Sequence, residues 1–127
     1  MNMEQAKTIK GIKVRTNNNS IEDIMKIWQD FSTLGITGEV YAIYTNYESD
    51  FRGDFDLVIG TETANLEEKV IIQPGKYVVY DVEGSAPENV GATWQKIWGD
   101  TTMKRKYTTD YEVYHTDGTI QVYIAVI

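Results

Sequence analysis

Two segments of the chain carry the three-and-four spacing of apolar residues that marks an amphipathic helix, and nearly all the rest reads as strand and turn. In the first, Ile21, Ile24, Met25, Trp28 and Phe31 recur between residues 20 and 33. The polar run Asn17-Asn18-Asn19-Ser20 places its N-cap at Asn19 or Ser20, and Gly35 supplies a stop. In the second, residues 86 to 98, the stripe is Val90, Trp94, Ile97 and Trp98. Ahead of it, Ser85-Ala86-Pro87-Glu88 has the S-x-x-E form of a capping box, with proline in the first turn, where a missing N–H does no harm.

Around these helices, β-formers and turn signals predict strands at 8–16, 40–45, 55–59, 69–73, 76–82, 107–115 and 119–127. The last two flank Asp117-Gly118, a strong hairpin dipeptide. The order is β-α-β-β, a short linking strand, then β-α-β-β, which reads as an internal duplication. A shift of 66 residues lays Trp28 on Trp94, Ile24 on Val90, Phe31 on Ile97, and Ile12 and Val14 on Val78 and Tyr80. The expected fold is therefore α+β: one domain spanning residues 1–127, with antiparallel strands, two main helices and pseudo-twofold symmetry. Its halves run over about 8–64 and 65–127. Such symmetry leaves a cleft where the halves meet, a common place for a ligand.

Composition removes several function classes. With no cysteine and one histidine, thiolate metal sites, disulfides and histidine clusters are excluded, and no metal or cofactor is expected. Twelve basic against nineteen acidic residues give a net charge of −7, which disfavours phosphate backbones and anionic lipid. The nearest basic patch, Lys104-Arg105-Lys106, is too short to reverse this. No apolar run is long enough to cross a membrane, and no secretory leader is legible at the N-terminus, so the expected location is cytoplasmic. Nine Tyr and three Trp exceed the needs of a plain core.

Seven pieces of sequence carry a resemblance. They are Ile24-x-x-x-Trp28-x-x-Phe31, Tyr41-Ala42-Ile43-Tyr44, Asp50 to Phe55, Ile72 to Tyr77, Trp94 to Trp98, and Asp110 to Tyr114 followed by Ile120 to Ile124. In their order and spacing the chain resembles the GyrI-like effector-binding domains of AraC- and MerR-type regulators, and among them the stand-alone, integron-associated members. The resemblance implies a duplicated strand-helix-strand-strand unit and an aromatic pocket for hydrophobic, often cationic, small molecules. It also implies a glutamate in the Y-E-x-Y segment that meets the positive charge, here Glu112. Some free-standing members are gyrase inhibitors and some are hydrolases of reactive compounds, so a protein-interaction module and an enzyme stay open beside a non-catalytic binder. The 127 residues leave no room for a DNA-binding domain beside this unit, so a regulatory output stays open, with a separate regulator protein or a homodimer as the partners to consider.

The candidate ligand-binding residues are Glu112, Tyr114, Tyr41, Tyr44, Trp28 and Trp94, and no catalytic residue is assigned. On a strand, Glu112 and Tyr114 share one face, with Tyr111 and Val113 on the other. A carboxylate beside buried aromatics loses hydration and seeks a cation, and is expected to be unpaired in the empty pocket. Tyr41 and Tyr44 are three apart and face opposite ways unless a bulge intervenes. Trp28 and Trp94 read first as core and second as pocket wall, where an electron-rich ring face suits a cation. The acidic cluster Glu48, Asp50, Asp54 and Asp56 reads as solvated, and His115 as exposed and idle. The final strand, ending Ile124-Ala125-Val126-Ile127, could pair with a second copy if it lay at a sheet edge.

Overall fold

The computed structural model describes residues 2–127. Strands β1 (Asn2–Glu4), β2 (Lys7–Thr16), β3 (Val40–Thr45), β4 (Phe55–Thr61), β5 (Glu68–Ile72), β6 (Gly75–Asp81), β7 (Thr109–Tyr114) and β8 (Ile120–Ala125) form one antiparallel sheet. Helices α1 (Ile21–Ser32) and α2 (Val90–Gly99) interrupt it. The strand order, β1-β6-β8-β7-β3-β4-β2-β5, is a palindrome: β2-α1-β3-β4 and β6-α2-β7-β8 are equivalent units meeting at the β3–β7 ladder. A twofold through the Ile43–Tyr111 pair of that ladder relates Tyr44 to Glu112. The short strands exchange sides. β5 pairs with β2 of the first unit, although the sequence places it in the second half, and β1 pairs with β6.

All ten residues matched by the duplication lie in or against one core, between the helices and one face of the sheet. The face opposite the helices holds a second buried cluster, with Ile9, Tyr41, Ile43, Ile72, Tyr77 and Tyr111. No helical residue belongs to that cluster, so the sheet buries this face by curling into a half-barrel. Gly11 and Gly60 pair directly across β2 and β4, and a Cβ on either would fall about 2 Å from the other strand's carbonyl oxygens (2.1 Å for Gly11, 2.0 Å for Gly60). Only glycine permits so close a backbone approach.

Several local expectations change. The buried side of α1 is Ile27 and Phe31 with Ile24 and Trp28 beside them, whereas Ile21 and Met25 are exposed. The capping box at Ser85 does not form. Ser85 adopts φ 49°, outside the extended region an N-cap requires, and 3₁₀ turns at Glu83–Ser85 and Pro87–Asn89 lead into α2. Likewise Tyr107, at φ 56°, breaks the strand expected from residue 107, so β7 begins at Thr109. The last strand is not an edge: β8 lies between β6 and β7, and the edges are β1 and β5. His115 is not idle, since its ring bonds Glu39 and Gln121. Among the described residues, no helix is long and apolar enough to cross a membrane.

Candidate functional site

The two helices diverge over the central ladder and leave a cavity of about 290 Å³. Ile21, Ile24 and Trp28 of α1 form one wall, and Val90, Gly91, Trp94 and Trp98 of α2 the other. The floor is Tyr44 of β3, Phe55 of β4, and Glu112 and Tyr114 of β7; Asn18, Tyr47, Phe51, Pro87 and Arg105 complete the lining from the loops. The aromatic rings pack edge to face: Trp28 on Tyr114 at 5.0 Å, and Tyr44 on both Trp94 (5.1 Å) and Phe55 (5.2 Å). At the rim Phe51 stacks on Trp98, centroids 5.9 Å apart and planes 10° off parallel.

Five of the six residues named from the sequence thus meet at one cavity. The sixth does not. The β3 register runs unbroken from Tyr41 to Thr45 against β4, without a bulge, so Tyr41 points into the second cluster, where its hydroxyl donates to Glu62. Trp28 and Trp94 are at once core and wall.

Glu112 is 2% exposed. Tyr44 Oη and Trp94 Nε1 each donate to its Oε2 at 2.7 Å, and Tyr114 Oη donates to Oε1 at 2.6 Å. The carboxyl is therefore not unpaired, as expected from the sequence, but held by three neutral donors, one from the paired strand, one from α2 and one from its own strand. Burial pushes its pKa above the ordinary 4.5, and the three donors pull against that rise. Burial, then the neighbouring carboxylate, pushes the Tyr44 and Tyr114 hydroxyls well above 10, so both remain donors throughout the neutral range.

Two residues back on the same face lies a second buried carboxyl, Asp110, which the sequence reading passed over. Arg105 Nη2 donates to its Oδ2 at 2.7 Å, Tyr47 Oη to the same oxygen at 2.6 Å, and the Ala125 N–H to Oδ1 at 2.9 Å. Arg105 comes from the short basic run at 104–106, whose lysines stay exposed while its own side chain is 5% exposed. With Asp110 and Arg105 cancelling, an ionised Glu112 leaves the cavity wall one negative charge that no cation among the described residues offsets. The acidic cluster stays outside: Asp50 pairs with Arg52, Asp54 accepts from Asn17, and Asp56 pairs with Arg15.

A duplicated sheet with an aromatic cavity across its central ladder defines a small-molecule-binding domain of the effector-binding class. The chain belongs to the Cass2 family, integron-associated effector binding protein, whose model matches residues 3–126. It is similar to the integron cassette protein VCH_CASS2 from Vibrio cholerae, at 33% identity and a TM-score of 0.88 over 99% of this chain and 94% of that one. The regulator-like protein YobU of Bacillus subtilis (strain 168) is 28% identical, covering 94% of this chain and 92% of its own. SAV2435, whose structure was solved bound to tetraphenylphosphonium, shares the fold, with a TM-score of 0.77 at 15% identity over 99% of this chain and 92% of that one.

Proposed function

We propose that this protein binds lipophilic monocations without turning them over, the cation lodging among Trp28, Tyr44, Trp94 and Tyr114 with Glu112 as its counter-charge. One observation carries the reading: a fully buried carboxyl at the floor of an aromatic cavity, hydrogen-bonded only by neutral groups. Neutral donors fix the carboxylate in place but leave its charge for a ligand. Ring faces around it add cation–π attraction, which grows when the cation sheds water. The bound tetraphenylphosphonium of SAV2435 supports the same class of ligand for this chain. A cytoplasmic location, and read-out of the bound state by a separate regulator or a second copy, belong to the same reading.

The test is a charge series at constant shape. Tetraphenylphosphonium and tetraphenylborate have nearly the same size and opposite charge. The cation should raise the melting temperature and quench tryptophan fluorescence, since Trp28, Trp94 and Trp98 all line the cavity. At about 100 times its dissociation constant it should stabilise the fold by about 2.7 kcal/mol. Equal shifts with both ions, or a preference for the borate, would sink the proposal.

A further inference from the structure

A cavity that had only to hold an apolar cation would leave no donor nitrogen elsewhere in its wall without a partner. Here three are left. Arg105 lines the cavity with its side chain 5% exposed, and while Nη2 is bound to Asp110, Nε and Nη1 are buried and have no hydrogen-bond partner among the described residues. The Trp98 Nε1, from the same lining, is also buried without a partner. The guanidinium lies over the Tyr107 ring, Cζ 4.4 Å from its centroid. Tyr47 and the Ala125 N–H fix Asp110 from its other sides, and Asp110 in turn fixes the guanidinium. These donors are pre-oriented, and buried polar groups are as a rule satisfied.

We infer that the ligand is a lipophilic cation that also carries an uncharged hydrogen-bond acceptor, a carbonyl or ether oxygen, received by the unpaired N–H groups of Arg105 and Trp98. This rests on the reading of Glu112 as counter-charge. The acceptor is uncharged because Asp110 already balances Arg105, and a second anion would bring an unmatched charge into the cavity. Hydrogen bonds from a charged donor are among the stronger ones, so the acceptor sorts among cations that Glu112 alone would not tell apart.

Twin phosphonium ions test this on the full chain by calorimetry. (4-Acetylphenyl)triphenylphosphonium and its 4-isopropenyl analogue differ only in a carbonyl oxygen replaced by CH2, and the 3-substituted twins move the acceptor to a second place. At least one acetyl compound should bind about tenfold tighter than its twin. That ratio should fall to about one in Arg105→Lys, which keeps a cation beside Asp110 but lacks the Nε–H and Nη1–H edge. Glu112→Gln should weaken both members alike and leave the ratio intact. Equal affinities within both twin pairs in the wild-type protein overturn the inference while leaving the cation reading standing, and the wild-type ratio decides even if Arg105→Lys fails to fold. A ratio that survives Arg105→Lys overturns the role of Arg105. Failure of all four ions to bind removes the cation reading itself.

Discussion

Asp110 and Glu112 stand two residues apart on β7, face the same side of the sheet and are both removed from water, yet the protein treats them in opposite ways. Asp110 has its own cation, Arg105, besides a tyrosine hydroxyl and a backbone N–H. Glu112 has the same number of hydrogen bonds and, among the described residues, no cation. Geometry is satisfied at both sites and charge at only one. A carboxylate with internal charge balance ties a loop to the sheet, whereas one left short of charge either keeps its proton or, on the proposed reading, takes its balance from a bound cation. Burial raises both pKa values, but only Asp110 has a cation pulling against it.

The sharpest break in this comparison is Asp110→Asn. It leaves the Arg105 guanidinium buried beside a neutral amide, and stability to urea should fall by about 3–5 kcal/mol. A loss under about 1 kcal/mol would show that Arg105 can reach water and that the pair is not a closed unit. Next comes Glu112→Gln. The amide oxygen can still accept from Tyr44 and Trp94 while the amide nitrogen donates to Tyr114, so the fold should hold within about 1 kcal/mol. Affinity for tetraphenylphosphonium should drop well over tenfold, the usual cost of about 2–5 kcal/mol for one partner of a buried charge pair. Unchanged affinity with a lower melting temperature would make Glu112 a structural residue like its neighbour.

The third test uses pH. Because burial lifts the Glu112 pKa, the folded state binds this proton more tightly than the unfolded chain does. Its contribution to apo stability is therefore fully present below the ordinary 4.5 and is lost as pH rises through the raised value. Cation affinity runs the other way, rising over the same window as the carboxyl ionises. Titrations in buffers of different ionisation heat should register proton release on binding inside the window, and none in Glu112→Gln. The smallest effect is expected of Tyr41→Phe. Its hydroxyl meets Glu62 on the far face of the sheet, so phosphonium affinity should stay within about twofold of wild type, about 0.4 kcal/mol. A larger change would mean that the two faces are coupled through β3.

Strand alternation was enough to put Glu112 and Tyr114 together, and helical spacing enough to bring Trp28 and Trp94 to matching places, because both signals are local and periodic. What stayed hidden was set by backbone or by distance. The left-handed residues Ser85 and Tyr107 stop α2 and β7 from starting where their side chains suggest. Nothing in Lys104-Arg105-Lys106 marks the middle residue for burial; its contact with the Tyr107 ring and its bond to Asp110 exist only once the loop has folded back. β1, three residues long, is a strand only because β6 offers it an edge.

The palindromic sheet also bears on how the chain could be cut and rejoined. Asn2 of β1 and Ala125 of β8 sit opposite the same residue, Tyr77, on either side of β6. Two strand spacings separate them, about 10 Å, a gap that a few residues bridge. The polypeptide is thus nearly a closed ring with its seam across β6, and the turn between β4 and β5, where Gly60 and Glu68 flank Gly11 of β2, occupies the equivalent place by pseudosymmetry. A circular permutant opened at that turn and sealed at the seam would present the units in reverse order. The same proximity lets the whole ring be spliced into a surface loop of another protein with little strain on the host, since the entry and exit of the inserted chain lie almost side by side.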